Sequence, residues 1–195
     1  MAFNQDSDRT VPIAIRRLVT GHDAAGRAVF TSDTSPPRTE PFKHIPGMVS
    51  RIVWSTAAKP SLPHDGNDPT AVVKSVVPGV GETRLLVITF PPDSVFASQD
   101  FDPAAAVQEN LRISPGLAER FEPDGMHQTP TIDYAIVLDG EIWLELDDGH
   151  AELLLPHTVI IQNGTRHAWR NKSERPASLA FVLIGATERA LNQGK

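Results

Sequence analysis

The chain has 195 residues, enough for one domain with its own core. It carries a net charge of −6, has 40% hydrophobic and 22% charged residues, and has no cysteine. No basic cluster favours nucleic acid, no apolar run of about 18 residues suggests a membrane span, and disulfides, zinc–thiolate sites and thiol nucleophiles are excluded. Seventeen prolines and thirteen glycines point to many turns and few long helices. The polar start lacks a basic region followed by an apolar one, so a cytoplasmic location is expected.

After ten polar residues, residues 13–20 read as a strand, His22 to Gly26 as a turn, and residues 27–32 as the returning strand. This hairpin is expected to be an N-terminal arm. Residues 34–46 read as an irregular connection. Val49–Thr56 reads as a further strand, and residues 59–69 as a loop rich in Pro, Gly and Asp. Thr83–Phe90 is a strand stopped by Pro91-Pro92. The long segment 93–124 follows and reads as a lid. Within it, Asp102-Pro103 opens a short helix to about Asn110, Pro115 breaks it, and one more turn lies near Gly116 to Phe121.

The last third is dense in strands: residues 133–138, 141–146, 150–155, 158–162, 166–171 and 178–184, before a short helical tail. Asp139-Gly140, Asp147-Asp148-Gly149 and Asn163-Gly164 are the turns between them. Short, evenly spaced strands predict an all-β fold, a sandwich or a single barrel. The expected organisation is an arm with loops over residues 1–82, a barrel over 83–185 and a tail over 186–195. An arm of this kind commonly adds a strand to a neighbour's sheet, so a homodimer is expected.

Side chains alternate along a strand, so an extended run from His127 points His127, Thr129, Thr131 and Asp133 to one side. His167, Trp169 and Asn171 share a face in a later strand. Pairing these strands can bring His127, Asp133 and His167 together. Two imidazoles and a carboxylate with open positions suit a divalent metal ion, Fe, Mn, Ni or Zn. Such an ion acts as a Lewis acid or activates bound water.

The same residues resemble the two motifs of the cupins. The first motif runs Gly, five residues, His-x-His, three or four residues, Glu, six residues, Gly. His127 fits its first histidine, Asp133 stands at the glutamate, and six residues separate Asp133 from Gly140. Thr129 replaces the second histidine. The second motif includes Pro-x-Gly and ends Gly-x-x-His-x-x-x-Asn. Pro156, Gly164, His167 and Asn171 match it, with Thr158 in place of the Pro-x-Gly glycine. The resemblance covers roughly residues 84–184 and implies a jelly-roll β-barrel.

It also implies a small-molecule enzyme whose metal is held by His127, Asp133 and His167. Dioxygenase, decarboxylase, isomerase or dehydratase chemistry on an oxygen-chelating substrate is implied, without a choice among them. Asp133 and His167 are then the catalytic residues, and Thr129, Trp169 and Arg84 line the substrate pocket. With one histidine missing, two other readings stand: a metal-free small-ligand-binding protein, and acid–base chemistry by Asp133 and a histidine.

Each residue also has a plainer reading. Trp169, Tyr134 and Trp143 suit a core or an interface, Asn171 a turn, and Arg84 and Arg166 a surface. His22, His44, His64, His150 and His157 fall in turns or loops, although an arm folded over the barrel mouth would bring in His44. Nucleophile-elbow, P-loop, dinucleotide and His-Glu-x-x-His patterns are absent.

Overall fold

The computed structural model describes residues 13–189. The polar start and most of the expected helical tail lie outside that range; residues 186–189 are irregular. The all-β expectation holds, and among the described residues the elements form a jelly-roll of two facing sheets, a separate two-stranded hairpin and one α-helix. In chain order the strands are β1 (Arg17–His22), β2 (Ala28–Thr34), β3 (Arg38–Pro41), β4 (Val49–Thr56), β5 (Thr83–Phe90), β6 (Thr131–Asp139), β7 (Ile142–Glu145), β8 (Ala151–Leu154), β9 (Val159–Asn163), β10 (Ala168–Arg170) and β11 (Ala177–Gly185). Helix α1 spans Pro103–Ile113. None of the described helices is long and apolar enough to cross a membrane.

The large sheet has the order β3-β4-β5-β11-β6-β9, and the small one β10-β7-β8. β6 shows why the sheets face each other. Thr131, Asp133, Ala135 and Val137 are buried, while Ile132, Tyr134, Ile136 and Leu138 point outward. Ala135 and Val137 join Leu86, Leu179, Phe181 and Leu183 across the sheet, and Ile142 and Leu154 from the small sheet, in one core. Gly140 makes the turn after β6. It sits at φ +73°, and a Cβ there would lie 2.5 Å from the Pro176 carbonyl oxygen, so a side chain would be both strained and obstructed.

The segment before Thr83 is more than an arm with loops. β4 pairs with β5 along its length and β3 pairs with β4, so residues 38–56 belong to the barrel's large sheet. Residues 34–46, expected to be irregular, hold β3. It is a short, polar edge strand ending on Pro41, and it shows no alternation for a sequence reading to catch.

The lid segment folds as expected, with a longer helix. Asp102 caps α1 by accepting from the Ala105 amide at 3.0 Å, and Pro103 occupies its first turn. The helix reaches Ile113 rather than Asn110 and stops before Pro115. Ala106 and Ile113 pack on Phe42 and Ile45 in a second apolar cluster. The Glu109 carboxylate accepts from the Lys43 and His44 amides at 2.9 and 2.7 Å, fixing the helix to the loop before β4.

Candidate active site

Between the sheets, under the lid, lies a cavity of about 610 Å³. Its walls are mostly apolar: Leu86, Ile88, Phe90, Phe181 and Leu183 from the large sheet, Ile45 and Met48 from the loop before β4, and Phe96, Phe101, Val107, Leu117 and Phe121 from the lid. His127, Thr129, Asp133, His167 and Trp169 form one stretch of this wall. The structure therefore brings the three expected metal donors and two of the three expected pocket residues to one cavity.

His127 and His167 meet through the backbone. Each amide donates to the other residue's carbonyl at 2.9 Å, an isolated antiparallel bridge between the chain entering β6 and the chain entering β10. Their ring centroids lie 4.3 Å apart. Phe121 packs on the His127 ring at 4.5 Å, and the Trp169 ring meets His167 edge-on at 5.8 Å. The His167 Nδ1 lies 2.9 Å from the Thr165 carbonyl oxygen. A carbonyl only accepts, so Nδ1 carries the proton and Nε2 keeps its lone pair. The His127 Nδ1 is buried and has no hydrogen-bond partner among the described residues.

Burial sets the charge states. It lowers the His127 imidazole to about 3, helped by His167 and opposed by the Gly125 carbonyl. It lowers His167 as well, against the Thr165 carbonyl. Both rings are therefore neutral at ordinary pH. Burial pushes the Asp133 carboxyl up to about 6, opposed by the Thr131 hydroxyl, and its Oδ1 has no hydrogen-bond partner. The Thr129 and Thr131 hydroxyls bond each other at 2.7 Å.

This donor set does not fit the three-ligand metal centre that the motif resemblance implied. Among the described residues, no group of three histidine and carboxylate side chains is placed to hold a metal ion. The imidazoles sit side by side, no group of three histidine or carboxylate side chains among the described residues is formed with them, and the Thr129 hydroxyl is engaged with Thr131.

Arg84 requires a correction as a pocket residue. It is buried, but its guanidinium donates to Glu82, the Ser55 hydroxyl and the Ser75 and Thr83 carbonyls, at one end of β5 away from the cavity lining. Four of the five N–H donors of its guanidinium fork are engaged in these bonds. Trp169 combines both of its readings: it lines the cavity and packs against Phe90 and Phe181. Asn171 is structural. Its amide nitrogen donates to the Phe90 and Arg175 carbonyls, and its oxygen accepts from Ser173.

His44 is absent from the cavity wall, although its neighbour Ile45 is part of it. Sequence reasoning did not single out Ile45, Met48, Ser50 and Phe121, which line the cavity. Only Phe121 carried a signal, as a large apolar residue in a polar part of the lid. The remaining rim is charged: Arg166 donates to Glu122, Asp124 and Asp147, tying the turn at residues 122–125 to the residue beside His167.

The chain has relatives among known proteins. Over 188 residues, 95% of this chain and 86% of the relative, the chain is 32% identical to phomopsin biosynthesis cluster protein D of Diaporthe leptostromiformis. Over 184 residues, 92% of this chain and 76% of the relative, it is 27% identical to the cupin-domain-containing oxidoreductase fogC of Aspergillus ruber. The cupin domain of an XRE-family transcriptional regulator from Enterobacter cloacae aligns with 54% of this chain and 83% of its own, at 16% identity and a TM-score of 0.34. No family model matches.

Proposed function

The chain belongs to the cupin superfamily, and from that premise we propose that it is an enzyme moving a proton on a small, largely apolar substrate. The oxygen-bearing end of the substrate sits among His127, His167 and Asp133. One observation carries the reading: a buried carboxyl raised to about 6, with an unpartnered oxygen, shares a cavity wall with two neutral imidazoles. A base with a pKa near the working pH combines a large ionised fraction with real proton affinity, which suits general-base catalysis.

In this reading the Asp133 carboxylate takes a proton from a carbon next to a substrate carbonyl. The C–H electron pair becomes the C=C bond of an enol or enolate. The neutral His127 imidazole donates a hydrogen bond from a ring N–H to the oxygen that gains charge, because the His167 Nδ1 proton is held by the Thr165 carbonyl. Return of the proton to another carbon gives an isomer; departure of a β-hydroxyl as water gives an unsaturated product. Both outcomes are redox-neutral and need no co-reactant. The apolar walls hold the rest of the substrate and exclude water.

Two further readings are tested alongside. A metal held by His127, Asp133 and His167 is favoured by the unpartnered His127 Nδ1 and Asp133 Oδ1, and requires Asp133 to close on the pair. Oxidation of the substrate is suggested by the name of the relative fogC.

The experiment follows deuterium uptake from D₂O into β-keto esters with alkyl or aryl tails, by NMR. Wild-type protein should catalyse exchange at the carbon between the carbonyls, with or without chelator, and Asp133→Asn should abolish it. Products should keep the substrate's mass or lose one water. Stoichiometric bound metal on which exchange depends would overturn the proposal in favour of the metal site. A product two hydrogens lighter would overturn it in favour of oxidation, and no exchange on any tail would leave the binding-protein reading.

A further inference from the structure

The cavity has a second polar patch, away from the histidine pair. Ser50 on β4, Asn110 on α1 and Ser114 just past the end of α1 all line it. Ser50 pairs with Ile88 of β5, itself a wall residue, so both side chains share the inner face of the large sheet. Ala106, Asn110 and Ser114 recur at the spacing that stacks side chains on one helix face, and that face is turned to the cavity. The helix lies over the start of β4: its Ala106 and Ile113 pack on Phe42 and Ile45, with Met48 against them, and Ser50 follows two residues later.

A helix face turned to an apolar interior is ordinarily apolar itself. Here it carries an amide and a hydroxyl, opposite a second hydroxyl. Ser50 is 4% exposed and Ser114 5%, yet neither hydroxyl has a hydrogen-bond partner among the described residues, and nor does the Asn110 side-chain amide. Groups withdrawn from bulk water and left unpaired are costly, so three of them on one part of the wall mark a place where a ligand brings the missing partners.

We propose that this patch recognises the far end of the substrate, taking a neutral hydrogen-bonding group, a hydroxyl or a primary amide, at the tail of the molecule. The identity of the reacting end rests on the proton-transfer reading given above. β5 and β11 separate β4 from β6 in the large sheet, so Ser50 and Asp133 are three strand spacings apart, roughly 14 Å across the sheet. Leu86, Ile88, Phe181 and Leu183 of the two intervening strands line the wall and suit an apolar middle. A charged tail is not matched. Arg170 is the one lysine or arginine among the described residues of the wall, and it stands on β10 of the small sheet, donating to Glu145.

Isothermal titration calorimetry of the full chain tests the subsite without requiring turnover. The probes are matched β-keto esters whose alkyl tails, in a series of lengths, end in methyl, hydroxyl, primary amide or carboxylate. Wild type should bind the best hydroxyl or amide tail about tenfold more tightly than the methyl tail of equal length, and the carboxylate tail no better than methyl. Ser50→Ala and Ser114→Ala should each cut that preference to about twofold or less, and Asn110→Leu should do the same, with circular dichroism confirming the fold. Equal binding of methyl and hydroxyl tails by the wild type overturns the proposal and shows that water satisfies these groups. A preference that survives the serine variants in folded protein, tightest binding of the carboxylate tail, or binding of no tail also overturns it. Deuterium exchange on the same esters is scored separately. A tail preference without exchange removes the proton-transfer reading and keeps the subsite; exchange without a preference does the reverse.

Discussion

His127 and His167 hold each other by reciprocal backbone hydrogen bonds of 2.9 Å, and their rings lie 4.3 Å apart. The pair is therefore built by the chain path, with no ligand needed to assemble it. Charging one ring beside another in a dry cavity is costly, and burial with His167 nearby lowers His127 to about 3. In the unfolded chain the same imidazole titrates near 6.5. Between those values the unfolded state binds the extra proton, so the stability from neutral His127 is whole above about 6.5 and is lost as pH falls toward 3. His127→Asn should flatten this acid limb in thermal melts from pH 7 to pH 4.

Asp133 works in the opposite sense. Its folded value is raised from 3.8 to about 6, so the folded state binds the proton more tightly. Its contribution is complete below about 3.8 and is lost as pH rises through 6. At pH 8 the buried carboxylate is a net cost, and Asp133→Asn should raise stability there by about 3 kcal/mol, since the rise from 3.8 to about 6 is worth about 1.4 kcal/mol per unit. The gain should shrink toward pH 4, as urea denaturation at the two pH values will show. The same variant should be inactive, a stability gain at the expense of the reaction.

For the wild-type enzyme the proposal gives a pH profile. Activity should rise with pH through about 6 as Asp133 ionises, with no second limb from His127, which burial lowers to about 3. Initial rates at saturating substrate from pH 5 to pH 8 measure this directly. A profile governed by protonation of a group near 8 would remove Asp133 as the base.

Much of the site was legible in the sequence because strand alternation is strict. Placing His127, Thr129 and Asp133 on one side needs only a period of two, and the structure buries all three on the cavity wall. Spacing alone cannot give distance across the barrel. It brought His167 to the same wall without showing that His167 would bridge to His127 through the backbone. Arg84 shows the same limit: it reads as a pocket residue until Ser55 and Ser75, from other parts of the chain, and Glu82, two residues before it, take up its donors. β3 and the lining residues Ile45 and Met48 were hidden because a polar, proline-rich stretch gives no periodic signal.

Asn171 should be the most costly single residue to truncate near the site. It is 1% exposed, and its side chain bonds the Phe90 and Arg175 carbonyls and Ser173, while its amide donates to Asp93. Asn171→Ala leaves buried carbonyls at the end of β5 unpaired, at a cost of about 2–4 kcal/mol. Equilibrium urea unfolding checks this, and a loss below the usual range for a surface substitution would show that water replaces the amide.

Arg166 ties the turn at residues 122–125 to the chain beside His167 with four hydrogen bonds to three carboxylates, and these partners hold its guanidinium well above its ordinary value. The turn supplies Glu122, Pro123, Asp124 and Gly125 to the cavity rim, next to Phe121 on the His127 ring. Removing the cation leaves Glu122, Asp124 and Asp147 repelling one another across the rim, which opens it. Because the pairs are solvent-exposed, global stability should change little. Arg166→Gln should therefore speed amide hydrogen exchange in residues 121–126 several-fold while leaving the melting temperature nearly unchanged. High salt should have the same effect on the wild type by screening the pairs. Unchanged exchange at the rim in Arg166→Gln would mean that the turn is held by its own backbone bonds, Glu122 to Met126 and Gly125 to Glu122, and that Arg166 plays no part in access to the cavity.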